Sequence, residues 1–439
     1  MRRRAFLCSA GSAGLGLALP GWGAEAPLGT IAFIQRDGLW IRDLPNGKPE
    51  RLAGGAALES PRFSPSGQWI AYLQSDVVYV VARHGGNEIR VGGAGRGAQW
   101  LPNRDELLVG SPAGLDVLTP VNKWSEPSRR IAHARLPAVF SPQGTAIAYG
   151  DTVNSGTGRT GRLCRVALDK PESEPRVLVS KDSSAQFPCV WSGDGKQILF
   201  WEDPDFSASL MADGLELFGV PADGGSAKSM GVSTLVHNDM LSLSPDGTRL
   251  AITAGGGRED WQRKRIAVID LNTAEISRLT DDRTAAVCPS WCPRGDRIAF
   301  AAAPAPGTGA AVGGGEPARR LLEKRRIYMS GVSGTSMPRQ LTNDALYRDE
   351  EPMWSADGSH ILFGRIDRGN NQTLWLMEAD NPRPIQVAGP LYTNAGPLGL
   401  HETWFGYYGY IDWRTMVDWY RGAPAGTKRR AVQDSTRSR

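Results

Sequence analysis

The stretch Pro61-Arg-Phe-Ser-Pro-Ser-Gly-Gln-Trp-Ile-Ala-Tyr72 opens a series of seven related phrases. The others are Ala98–Val109, Ala138–Tyr149, Cys189–Phe200, Leu241–Ile252, Pro289–Phe300 and Pro352–Phe363. Each places an aromatic residue, or Leu243 in the fifth, at the end of one β-forming run. Ser-Pro-x-Gly or a relative follows, and then a second apolar run such as Trp69-Ile-Ala-Tyr-Leu73. Ser-Pro-x-Gly is tight-turn chemistry, because Pro fixes φ at an early corner and Gly accepts a positive φ near the end. Self-similarity with a period of about 40–50 residues marks a solenoid or propeller array.

A third strand follows each phrase, as in Val77–Val81, Arg265–Asp270, Arg326–Ser330 and Thr373–Met377. A polar turn and a short fourth strand such as Ser277–Thr280 complete the unit. The expected fold is all-β, a β-propeller of four-stranded antiparallel blades, a plan that leaves only short, protected edges. Before the first full phrase, Thr30–Ile34, Gly38–Asp43 and Glu50–Ala53 read as second, third and fourth strands that lack a first. If Tyr408-Gly-Tyr-Ile-Asp-Trp413 supplies it, the ring has eight blades closed between the N- and C-terminal strands. Seven blades with extra N-terminal strands packed outside is the alternative.

The 439 residues are 41% apolar and 8% aromatic, enough for a packed core, and the net charge of +4 is concentrated at the ends. Arg2, Arg3 and Arg4 lie at the start, and five basic residues lie between Lys428 and Arg439. The near-neutral body carries no electrostatic footprint for nucleic acid. Arg3-Arg4-Ala5-Phe6-Leu7, a mildly apolar stretch and Ala24-Glu25-Ala26 read as a twin-arginine signal with a small-x-small cleavage site. Residues 1–26 are therefore expected to be a signal, 28–413 the propeller, and 414–439 an extension with a basic, disordered tail. The mature chain is expected outside the cytoplasm, periplasmic or otherwise exported from a bacterium. It is expected to have no transmembrane segment, since the apolar stretch is too short to span. Cys288 and Cys292 stand about 13 Å apart on an extended strand, beyond disulfide reach. The cysteines read as buried thiols.

The phrase aromatic-Ser-Pro-Asp-Gly, the Ile-Ala-Phe runs and the third strands ending in Asp resemble the TolB-type repeat. That repeat is also found in the propellers of the prolyl oligopeptidase and dipeptidyl peptidase families. The resemblance covers about residues 28–413, and it implies a fold more than a function. TolB proper resembles a six-bladed propeller behind an α/β domain, whereas strands here begin directly after the signal. A hydrolase domain like that of the peptidases has no room after residue 421.

Catalytic signatures are weak. Gly331-Val-Ser-Gly-Thr335 has Thr where a nucleophile elbow needs its second Gly. The five histidines show no metal-ligand spacing, and the Asp of Ser-Pro-Asp-Gly belongs to the turn. No catalytic residue, metal or cofactor is assigned from the sequence. Loops entering the first strands share one propeller face with those joining strands two and three, and loops on rigid scaffolds concentrate binding residues. Candidates on that channel-mouth face are Glu59, Arg96, His237, Asp239, Glu350 and His401. Trp404, Tyr407 and Tyr408 belong to an aromatic stretch that either stacks on a ligand or packs a closing strand. Long loops at Asp151–Gly161, Glu202–Asp213, Gly255–Lys264 and Ala301–Glu316 thicken one sector. The leading expectation is a monomeric, non-catalytic binding or scaffold protein whose partner is an envelope protein, peptide or glycan. The alternative is a lyase or hydrolase with a metal or acid-base site at the channel mouth, built from His237, Asp239, His401 and Glu350.

Overall fold

Each repeated phrase folds as a hairpin, and in five of the seven a serine and a glycine satisfy the turn locally. In the fifth, Ser244 Oγ donates to Asp246 Oδ1 (2.5 Å) and accepts from the Arg249 N–H (2.9 Å). Gly247, at φ +69°, donates its N–H to the Ser244 carbonyl (2.8 Å). Ser64, Ser141, Ser192 and Ser355 accept from the start of the second strand in the same way.

The computed structural model describes residues 27–94, 97–156, 158–207, 213–255, 257–258, 261–305, 316–333, 337–393 and 409–422. These form an all-β protein of antiparallel sheets in chain order. The second sheet joins Leu58–Phe63, Trp69–Gln74, Val77–Ala82 and Ile89–Ala94, and the third and fourth repeat that plan. The next two phrases share one nine-stranded sheet, bridged where Thr234 pairs with Ala254. Thr284–Trp291 and Tyr347–Trp354 lead the last two four-stranded sheets. The expected long loop at Asp151–Gly161 is instead a two-stranded arm, with Asp151 opposite Arg162 and Ser155 opposite Gly158. Among the described residues no helix is long and apolar enough to cross a membrane.

The first sheet joins the chain's two ends. Thr30–Gln35 pairs on one side with Gly38–Asp43 and on the other with Val417–Tyr420, in the register Thr30 to Tyr420 and Phe33 to Val417. The pairing strand is therefore not Tyr408–Trp413, and the paired structure runs to Tyr420 instead of ending at 413. The reason is local. Val417 and Trp419 alternate as buried residues, whereas Trp413–Thr415 forms a single turn of 3-10 helix. Period-two alternation then buries both faces of Thr30–Gln35. Ile31 and Phe33 pack with Trp413, Val417, Trp419 and Leu374 of the last sheet, and Ala32 and Ile34 pack with Phe63, Ile70 and Tyr72 of the second.

Trp419→Ala should reduce the unfolding free energy by about 3–5 kcal/mol, the usual cost of truncating a buried tryptophan, measured by urea denaturation. Acid should act through the turns. Hydrogen bonds from Ser244 and the Thr248 N–H hold Asp246 at about 2. At Asp357 partial burial opposes ionisation, but Ser355 and Ser359 outweigh it and hold the carboxyl at about 2. Both lie below the ordinary 3.8, so the unfolded chain takes up these protons first as pH falls. The stability they contribute is present above about pH 4 and lost toward pH 2. Urea midpoints at stepped pH should fall less steeply in the Asp246→Asn/Asp357→Asn double variant.

Candidate functional site

The leading strands of three sheets, the second and the last two, are bulged at one recurrent place. Their pairing registers shift between Glu59 and Arg62, Val287 and Ser290, and Glu350 and Met353. At each shift one non-glycine residue takes a left-handed conformation: Ser60 (φ +55°), Cys288 (+54°) and Glu351 (+47°). Each is followed by a proline, Pro61, Pro289 or Pro352. Proline cannot donate to a ladder, and a bulge is where a strand tolerates it. The bulge also breaks face alternation. Glu350 and Glu351 are consecutive yet both buried, as are Val287 and Cys288.

Around the bulge of Tyr347–Trp354 lies a network of buried charge. Glu350 Oε1 accepts from Arg325 Nη1 (2.6 Å) and Arg348 Nε (2.5 Å), and Oε2 accepts from Trp413 Nε1 (2.9 Å). Both guanidiniums also donate to the Gly409 carbonyl, each at 2.9 Å. Gly409 sits at φ +87°, and a Cβ there would lie 2.5 Å from Trp261, so this approach requires glycine. Burial opposes ionisation of Glu350, but Arg348 and Arg325 outweigh it and hold the carboxyl below its ordinary value. Burial lowers Arg348 to about 10 despite Glu350. Beside this network Asp349 accepts from Arg365 Nε (2.8 Å), whose guanidinium stacks 4.4 Å from the Trp375 ring.

A second group lies next to the first. Ligand-type atoms of Asp239, Cys288 and Glu351 all fall within 4.8 Å of one another. Asp239 is 4% exposed, and neither of its carboxylate oxygens has a hydrogen-bond partner; Glu351 Oε2 also has none. Burial, and then the neighbouring Asp239 carboxylate, push Glu351 up to about 8. Burial likewise raises the Cys288 thiol well above its ordinary value. Arg414 Nε approaches Glu351 Oε1 at 3.6 Å, and the His237 ring lies 4.0 Å from that of Tyr410.

The expected mouth residues are therefore placed differently from an exposed rim. His237, Asp239 and Glu350 are buried, because a 3-10 turn and the bulge direct them inward. Glu59 is half-buried on Leu58–Phe63, where burial and then Asp76 raise its carboxyl. Arg96, His401, Trp404, Tyr407 and Tyr408 lie outside the described residues. From the same aromatic stretch, Trp413 is core, 1% exposed. Cys288, Glu351, Arg325 and Arg348 escaped the sequence reading. The proline two positions before the aromatic was a usable signal for the first two.

Glu350→Gln should leave two buried guanidiniums without a counter-charge and destabilise the fold by about 3–5 kcal/mol, measured by chemical denaturation. Glu59→Gln, at a half-exposed position, should change stability by less than about 0.5 kcal/mol.

No family model matches the chain. The Tol-Pal system protein TolB of Jannaschia sp. (strain CCS1) is 31% identical over 99 residues, 22% of this chain and 21% of that protein, so the match spans about a fifth of the relative's length. A Bacteroides ovatus protein assigned as a dipeptidyl aminopeptidase IV superposes with a TM-score of 0.50 at 10% identity, covering 83% of this chain and 59% of that one. TolB from Acinetobacter baumannii gives a TM-score of 0.38 at 14% identity, over 82% and 79%. Propellers of unlike activity share this architecture, so the structural likeness speaks for fold alone. The chain is a β-propeller protein with TolB-type repeats.

Proposed function

We propose that the protein is an exported, non-catalytic scaffold of eight blades. Its loop face, where the first strands begin, receives a protein, peptide or glycan of the bacterial cell envelope. The observation that carries this reading is the state of Glu350. Glu350, the carboxylate an enzyme would need free, is held by Arg325, Arg348 and Trp413. On the same face a cleft of about 690 Å³ opens between Gly110–Leu115 and His133–Pro137. Its wall is mostly glycine, proline, alanine and leucine, and its charged edge is Arg135 paired with Asp151 at 2.8 Å. That composition suits recognition better than acid–base chemistry.

The eight-blade count is supported by the pairing of Thr30–Gln35 with Val417–Tyr420 and by the apolar cores on both sides of that sheet. The twin-arginine sequence supports export, and the Tol-Pal system named for the matched relative supports an envelope protein as partner.

The test is capture from bacterial envelope extract by the immobilised mature chain. The wild type and Met337→Glu, a change on the opposite face, should retain the same partner, whereas Ala113→Trp/Arg135→Glu should lose it. Undiminished capture by the double variant would refute the assigned face. Turnover of an envelope peptide or glycan by the purified chain would refute the non-catalytic reading.

A further inference from the structure

We propose that Asp239, Cys288 and Glu351 form a site for one borderline-soft divalent cation of the zinc class, which staples three successive units of the propeller together. The three residues come from different repeats. Asp239 lies in the 3-10 turn before Leu241–Leu243, Cys288 on Thr284–Trp291, and Glu351 on Tyr347–Trp354. An ion bound by all three would tie these segments where no hydrogen-bond ladder connects them.

Three observations converge on a ligand. The candidate donor atoms lie within 4.8 Å of one another, and zinc–sulfur and zinc–oxygen bonds of about 2.0–2.3 Å require closure of only roughly 1 Å. Asp239 is 96% buried by its 4% exposure, and both its oxygens lack a hydrogen-bond partner, as does Glu351 Oε2. Buried carboxylate oxygens are normally satisfied, so three orphans on two residues of one cluster call for a partner. Finally, Cys288 and Glu351 both hold left-handed backbone conformations, which direct their side chains out of strand alternation.

The donor set selects the ion. A thiolate with two carboxylates suits zinc, whereas calcium and magnesium take all-oxygen shells. On binding, the thiol proton leaves to solvent as the metal–sulfur bond forms. Three anionic ligands around a doubly charged ion leave one negative charge, and Arg414 stands 3.6 Å from Glu351 to meet it. The adjoining cavity, between Cys288, Trp261, Gly409 and Tyr410, has about 10 Å³, roughly one water's room as a fourth ligand. No substrate enters such a space, so the ion acts structurally and stands independently of partner binding.

The mature chain, purified without chelator and incubated with Zn²⁺, should hold one zinc per chain by elemental analysis. Chelation should lower its melting temperature. Cobalt substitution should give a thiolate-to-cobalt charge-transfer band. Cys288→Ser should lose that band, and Asp239→Asn should lose at least about nine-tenths of the metal while becoming insensitive to chelator. Cys292→Ser should retain both properties. If Cys288→Ser fails to fold, Glu351→Gln serves for metal content. A wild type that binds no zinc, with a melting temperature unmoved by zinc or chelator, would overturn the site in favour of a proton-sharing carboxyl pair. Equal zinc content in wild type, Cys288→Ser and Asp239→Asn would overturn it by placing the metal elsewhere.

Discussion

The pairing of Val417–Tyr420 with Thr30–Gln35 is the interaction on which the rest of the molecule depends. Residues more than three hundred apart in sequence share one ladder, and the sheet they complete is buried on both faces between the second and the last. Asp418 extends the tie by accepting from the Phe63 N–H (2.7 Å), and Trp419 donates to the Leu28 carbonyl (3.0 Å). To reach this position, residues 409–416 must run past the leading strands of the neighbouring repeats. That path brings the Gly409 carbonyl to Arg325 and Arg348, Trp413 to Glu350, and Arg414 to Glu351.

The charged interior follows from this path together with the bulges. A regular leading strand would turn alternate residues toward opposite faces, and consecutive Glu350 and Glu351 would be separated. The bulge buries both, but in different company. Glu350 meets two guanidiniums and an indole N–H, so it is held ionised. Glu351 meets Asp239 and a thiol, with Arg414 at 3.6 Å as counter-charge. Adjacent residues of the same type thus acquire opposite shifts from their neighbours. One is a structural lock, and the other belongs to the proposed cation site.

Much of this was legible in sequence. The Ser-Pro-x-Gly turns, the aromatic column and the apolar second strands announce themselves, because each is satisfied within about a dozen residues. Asp239 and Glu350 also stand out in the sequence, as charged candidates in the loops entering first strands. Their surroundings were not legible. The left-handed residue before Pro289 and Pro352 breaks regular strand alternation, so the neighbours of these positions cannot be read from period two. Cys288 read as a buried thiol, being beyond disulfide reach of Cys292, and Arg325 and Arg348 carried no motif.

The sequence by itself determined the unit: hairpins made by local turn chemistry, repeated with a common pattern of buried and exposed positions. It also showed that the N-terminal strands lacked a first strand and offered the far end of the chain as one source for it. Only the tertiary structure decided which segment fills the gap. Local pattern favoured the aromatic run, but Val417–Tyr420 wins by burying Val417 and Trp419 while Trp413 is left to cap Glu350. The tertiary structure alone likewise decided which charges meet. Ion pairs and orphaned carboxylates are set by through-space distances between repeats, and those distances have no period in the chain.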